Sequence, residues 1–242
     1  MRYYLDTEFI EGFHKPLFGK KRHFIDLISI GIVAEDGREY YAISNEFNPK
    51  DADDWVNKNV ISKLPERNVS FYDSPRMREE SLLWKSNKRI AQDIFNFINP
   101  DLGFHTSAYN NSELKEGGRL DGHFNEHNVT SIDERYIAQP EFYAYYADYD
   151  WVVFCSLFGR MIDLPKGFPM YCKDLKQILD EKAVKIYPNQ TMYHKANVLD
   201  ALEDRLGWIK SRDDYPKQEN EHSALDDARW NKKLHEFLIK LQ

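Results

Sequence analysis

Cysteine is nearly absent: Cys155 and Cys172 are the two thiols of a 242-residue chain. Two are too few for a disulfide framework or a four-thiolate zinc site, and both lie among apolar neighbours, where reduced thiols are common. A reducing, cytoplasmic setting is therefore expected. Positive charge is also in deficit, with 33 Lys and Arg against 40 Asp and Glu, a formal charge of -7 and a pI near 5.7. That balance excludes a broad basic surface as the means of gripping nucleic acid and leaves room only for a local patch. No run reaches the roughly 18 apolar residues of a membrane helix, and the opening MRYYLDTEF has no charged leader followed by an apolar stretch. Neither membrane insertion nor secretion is expected. Glycine and proline, at 11 and 10 residues, are too sparse for a collagen-like or low-complexity chain. What is present is 42% hydrophobic residues with 14% aromatics, enough to build a packed core.

The apolar pattern gives an α/β order. Arg2 to Leu5 is a short extended run, and Phe24 to Val33 is β-branched and ends at Glu35-Asp36-Gly37. With Glu39 to Phe47 following, the last two read as a β-hairpin beside the first strand. A turn with a short helix is expected over Pro49 to Pro65. Helical spacing of Ile90, Ile94, Phe97 and Ile98 places a helix over Ser86 to Ile98, stopped by Asn99-Pro100. Glu141 to Ala147 reads as another strand. Helices are then expected at about Asp150 to Met161, Lys173 to Ala183, Ala196 to Leu206 and Ala224 to Leu241. Between Asp101 and Pro140 the chain is rich in Asn, Gly, His and charge and shows no sustained period. It reads as a polar insertion, forming a flap, within one domain spanning residues 1–242. The expected architecture is a mixed sheet of about five strands with flanking helices.

Three stretches can carry chemistry. In Asp6-Thr7-Glu8, placed at the end of the opening strand, residues i and i+2 share a face, so two carboxylates sit side by side. Such a pair repels itself unless a hard, oxygen-seeking cation such as Mg²⁺ or Mn²⁺ neutralises it. A solvated strand rim is the plain alternative. In the stretch YYADYDWVV, Asp148 and Asp150 close a strand and open a helix, where acids also serve as ordinary N-caps. In HSALDDA, His222 precedes Asp226 and Asp227 at the start of the last helix. On an ideal helix Asp226 lies about 40° and Asp227 about 140° from His222, which pairs the histidine with Asp226. If His222 instead lies in the loop ahead of the helix, Asp227 can face the sheet.

Taken in order, DTEF, YADYDWVVF and HSALDDA resemble the signature of the DEDDh group of 3′-5′ exonucleases, which have a ribonuclease H-like fold. The segments MRYYLDTEFIEG and LISIGIVAEDGREYYAISNEF are similar to the opening of the polyadenylate-specific 3′-exoribonuclease AS family. The similarity covers most of residues 1–100 and 141–235. It implies Asp6, Glu8, Asp150 and Asp227 as carboxylates for two divalent ions, Mg²⁺ or Mn²⁺, and His222 as general base. His-x4-Asp spacing selects Asp227 over Asp226. Relatives often carry Asn shortly before the second-motif Asp, whereas Ala147 and Asp148 stand here, so the choice of Asp150 over Asp148 is the weaker one. The implied reaction is two-metal hydrolysis of a phosphodiester at the 3′ end, releasing nucleoside 5′-monophosphates from single-stranded RNA or an RNA 3′ overhang. A homodimer is implied as well.

Around this set, Phe9 and Trp151 are candidates for stacking on terminal bases, with core packing as the alternative for each. In the segment His14 to His23, Lys15, Lys20, Lys21 and Arg22 form the best candidate cluster for contacting substrate phosphates, with a solvated turn as the alternative. DNA is the alternative substrate for the same fold. His123, Glu126 and His127 match the HxxEH zinc-peptidase pattern, but Gly117, Gly118, Gly122, Asn125 and Asn128 around them are poor helix residues. A non-catalytic RNA-binding module is disfavoured because every expected acid is present.

Overall fold

A computed structural model describes residues 1–14, 19–70, 72–100, 139–186 and 198–241. The HxxEH segment and nearly all of the polar insertion lie outside the described residues, as does Lys15.

Three strands run consecutively: β1 (Arg2–His14), β2 (Arg22–Ala34) and β3 (Glu39–Ser44). The β2–β3 turn closes through Gly37, whose φ of +92° is a conformation open to glycine. Then follow α1 (Asp54–Asn59), α2 (Pro75–Ser81), β4 (Trp84–Lys85) and α3 (Asn87–Ile98). The second half comprises β5 (Glu141–Ala144), α4 (Ala147–Phe158), β6 (Lys173–Asp174), α5 (Leu175–Ile186), α6 (Val198–Lys210) and α7 (Ala224–Lys240). The sheet has six strands in the order β4-β3-β2-β1-β5-β6. β1–β2 and β2–β3 are antiparallel, while β1–β5, β3–β4 and β5–β6 are parallel. Two expectations about the sheet change. The sheet gains β4 and β6, each two residues long and too short to show a period of two. The opening strand does not end near Asp6 but runs on to His14, paired throughout with an equally long β2.

Alternation along β1 assigns its two faces. Tyr3 and Leu5 join a core with Ile90, Ile94 and Ile98 of α3 and Val153, Phe154 and Leu157 of α4. Tyr4 joins the opposite core with Leu175, Leu179, Leu234 and Leu238 of α5 and α7. Helix α7 shows why it lies on the sheet: Ala224, Asp227, Ala228, Asn231, Leu234, His235 and Leu238 are buried at three- and four-residue spacing. Asn231 Nδ2 donates to the Leu5 carbonyl at 2.9 Å, and Lys232 Nζ donates to the carbonyls of Ala34 and Glu35 at 3.1 and 3.0 Å. A third, smaller core joins Ile10 and Ile28 to Val60, Val56, Ile61 and Leu64, fixing the α1 region to the sheet. Among the described residues no helix is long and apolar enough to cross a membrane.

Candidate active site

The site forms where β5 stops and β1 continues. Parallel pairing between them covers only Arg2, Tyr3 and Tyr4 on the β1 side. Beyond that point the β1 edge facing β5 is open, and the start of α4 comes down onto it. Tyr146, at φ +58°, turns the chain sharply into α4 at Ala147, three residues earlier than the pattern suggests. This start puts Asp148 in solvent and turns Asp150 inward, to 6% exposure. Asp150 Oδ1 then accepts from the Thr7 backbone N–H at 2.8 Å and from the Thr7 hydroxyl at 2.6 Å. A carboxylate thus takes the place a sixth strand residue would occupy in the ladder.

On the other face of β1, Asp6 and Glu8 point toward α7. The register pairs Asp6 with Gly31 of β2. A Cβ on Gly31 would lie 2.3 Å from the Ala224 carbonyl oxygen and 2.5 Å from Leu225 Cα, so only glycine lets the first turn of α7 settle there. That close approach brings Asp227 in. One oxygen each from Asp6, Glu8 and Asp227 lie within 4.8 Å of one another. Asp227 is 7% exposed and lies on the buried stripe of α7. Asp226 lies off that stripe and pairs with Arg229 at 2.6 Å, on the side of Glu39. The local helical pairing of His222 with Asp226 therefore does not form: His222 stands in the loop before α7, with φ +66°. Its backbone N–H donates to Asp227 Oδ2 at 2.9 Å, and Gln218 Nε2 donates to Asp227 Oδ1 at 2.6 Å.

These groups line a cavity of about 350 Å³ together with Phe9, Tyr145, Tyr146, Tyr149, Trp230 and Asn231. Four carboxylates meeting there strongly disfavour full ionisation. Asp6 is raised well above the usual carboxylate range, chiefly by burial and then by the charges of Asp150, Glu8 and Asp227. Glu8 is pushed up to about 8 by burial, Asp227 and Asp150, with Lys63 pulling it down. Burial raises Asp150 to about 7 against the lowering effect of its two hydrogen bonds from Thr7. Asp227 also rises through burial, opposed by Gln218 and by the backbone of His222 and Ser223. Convergent carboxylates with protons held so tightly are a donor set suited to a hard divalent cation, which would replace those protons. The residues present thus fit Mg²⁺ or Mn²⁺.

The remaining sequence candidates divide. Phe9 lines the cavity and stacks in parallel on Tyr149, centroids 5.7 Å apart and planes 9° from parallel. Trp151 does not line it. At 8% exposure it is a core residue, stacked on Phe154 at 4.9 Å and packed on Phe142 at 5.2 Å. Lys20, Lys21 and Arg22 are exposed beside the far end of the β1–β2 ribbon, and none lines the cavity. The ribbon is longer than the pattern indicated, so it carries them away from Glu8. Thr7 and Gln218 also belong to the site, as donors to Asp150 and Asp227. Thr7 was legible only as the residue between two acids, and Gln218 sits in an irregular loop without a period.

Residues 2–239 match the family of 3′-5′ exoribonuclease Rv2179c-like domains. Among curated proteins, the 3′-5′ exoribonuclease Rv2179c of Mycobacterium tuberculosis strain H37Rv is 34% identical over 217 residues, spanning 88% of this chain and 96% of the relative. The 3′-5′ exoribonuclease MT2234.1 of Mycobacterium tuberculosis strain CDC 1551 / Oshkosh shows the same identity and coverage.

Proposed function

The chain belongs to the Rv2179c-like 3′-5′ exoribonuclease domain family, and from that premise we propose that it is a divalent-metal-dependent 3′-5′ exoribonuclease of the DEDDh type. The observation that carries this reading is the meeting of Asp6, Glu8 and Asp227 oxygens within 4.8 Å, with buried Asp150 held beside them by Thr7. The proposal includes a ribonuclease H-like classification of the fold, kinship with the polyadenylate-specific 3′-exoribonuclease AS family, and RNA in preference to DNA. A homodimer belongs to the same reading.

In this mechanism Asp6, Glu8, Asp150 and Asp227 would hold two Mg²⁺ or Mn²⁺ ions. When bound, such ions supply Lewis-acid polarisation of a phosphoryl oxygen and a reactive water near neutral pH. His222 would serve as general base, taking a proton from the attacking water. Thr7 fixes Asp150 through two donors, and Gln218 fixes one oxygen of Asp227, so neither carboxylate is free to rotate away. Phe9 and Tyr149 present their stacked rings to the terminal base, a contact that tolerates any sequence.

The test incubates purified wild type and an Asp6→Ala variant with 5′-labelled RNA and DNA in Mg²⁺, Mn²⁺ or chelator. Stepwise 3′ shortening of RNA with release of 5′-monophosphates, lost in chelator and in the variant, is expected. Absence of shortening, or shortening that survives both treatments, overturns the proposal.

A further inference from the structure

We infer that the segment from Asp54 to Lys63 is a clamp that sets the attitude of the His222 imidazole, with Trp55 and Lys63 as positioning residues. The inference rests on the exonuclease reading for the role of His222, but the clamp itself is drawn from contacts no part of that reading uses.

The loop ahead of α7 is under backbone strain. Asn220 and His222, two non-glycine residues, both adopt left-handed conformations, with φ of +50° and +66°. Such conformations persist where surrounding contacts over-determine them. Two ties come from within the loop's own neighbourhood, the His222 N–H and the Gln218 amide, both on Asp227. They hold the backbone and leave the ring to be fixed by something else. Trp55 supplies that contact: its indole meets the His222 imidazole edge-on, centroids 4.7 Å apart and planes 79° apart. Trp55 is 52% exposed and belongs to no apolar cluster among the described residues, so core packing does not account for it. Lys63 supplies another tie, its ammonium donating to the carbonyl of Glu221 at 2.8 Å, one residue before His222. That ammonium also acts on Glu8, so one side chain senses both the histidine loop and the strand carboxylates.

A clamp has to be rigid relative to what it aligns. Here Val56, Val60, Ile61 and Leu64 pack with Ile10 and Ile28, and Ile10 lies two residues beyond Glu8 on the same strand. The segment that touches His222 is thereby anchored to the strand that carries Asp6 and Glu8. Imidazole and carboxylates share one frame. Small displacements of a reacting group reduce rates steeply, so loosening the ring lowers turnover more than affinity.

The test is a double-mutant cycle on single-stranded RNA with Mg²⁺, supplemented by nuclear Overhauser contacts between the Trp55 and His222 rings in metal-free protein. Trp55→Ala is expected to lower kcat about tenfold with KM within about twofold and unchanged melting, and Trp55→Phe to recover most of the rate. Lys63→Met is expected to lower kcat in the same manner. In the His222→Ala background, Trp55→Ala should have no further effect, because it acts through the missing ring. Loss of the ring contacts in Lys63→Met would mark the two ties as one device. A Trp55→Ala enzyme with normal kcat, or one whose loss is equally large in the His222→Ala background, overturns the clamp. An inactive wild type, or a fully active His222→Ala, would instead refute the exonuclease reading while the ring contacts could still be read.

Discussion

The cavity is built from two kinds of ground. Asp6 and Glu8 stand on β1, the strand with an antiparallel partner on one side and a parallel one on the other, where the pleat alone points both acids the same way. His222 and Asp227 stand at a loop and helix start that would not hold their places unaided. The loop needs left-handed residues at 220 and 222, ties from Gln218 and Lys63, and a glycine in the neighbouring strand to admit the helix. The lesson is that the acids of the sheet are placed by backbone geometry, and the histidine side of the site by a set of separate contacts. Replacing an acid should therefore act abruptly on either side, whereas removing one of the contacts that place the histidine side should act by degrees.

The largest effect is expected at the carboxylates themselves. Asp6→Asn or Asp227→Asn, on opposite sides of the comparison, should each lower kcat more than about a hundredfold, as removal of several kcal/mol of charge stabilisation requires. Single-turnover assays measure this, and a loss confined to one of the two would break the idea that the regions make a single site. Next comes Gly31→Ala, whose methyl meets backbone atoms of Ala224 and Leu225 that cannot swing aside. Overpacking of this kind costs about 1–3 kcal/mol, so denaturant unfolding should show that loss together with reduced activity. Normal stability and rate would show that α7 tolerates displacement. Gln218→Ala is expected to be milder, lowering kcat roughly tenfold by freeing one oxygen of Asp227, with little change in melting because Gln218 is exposed.

The pH dependence of stability probes the buried carboxylates. Glu8 rises from its ordinary 4.5 to about 8 and Asp150 from 3.8 to about 7, so the folded protein keeps protons that the unfolded chain has released. Their contribution to stability is whole below about pH 4, and it is lost as pH rises through 7 to 8. In chelator, Glu8→Gln should flatten that decline, and added Mg²⁺ should raise the melting temperature more at pH 8 than at pH 5. Equal increments at both would contradict proton displacement by the cation. The smallest effects are expected from groups away from the cavity. Trp151→Phe, and the triple change of Lys20, Lys21 and Arg22 to Ala, should leave KM within about twofold, whereas Tyr149→Ala should raise it about tenfold by removing a stacking surface.

How far these placements were legible varies with the range of the interaction. The pairing of Asp6 with Glu8 needs only a period of two. Asp227 was also within reach of local pattern, because Ala224, Ala228, Asn231 and Leu238 define a stripe that includes it and omits Asp226. The burial of Trp151 was readable in the same way from Phe154, Cys155 and Phe158 at helical spacing. Asp148 and Asp150 lie about 200° apart on a helix, so one of them had to face inward; which one depended on where Tyr146 turns the chain. Nothing local marked Gln218, Trp55 or Lys63.

By itself the amino-acid order determined the family, the strand and helix periods and the supply of carboxylates, because each follows from side-chain chemistry or from a repeat of two or 3.6 residues along a local backbone. Tertiary structure alone decided that Thr7 should meet Asp150 across 143 residues and Lys63 reach the Glu221 carbonyl across 158. Contacts at that separation exist only after β5 has paired with β1 and α7 has settled over Gly31, and no local repeat encodes the outcome of those packings.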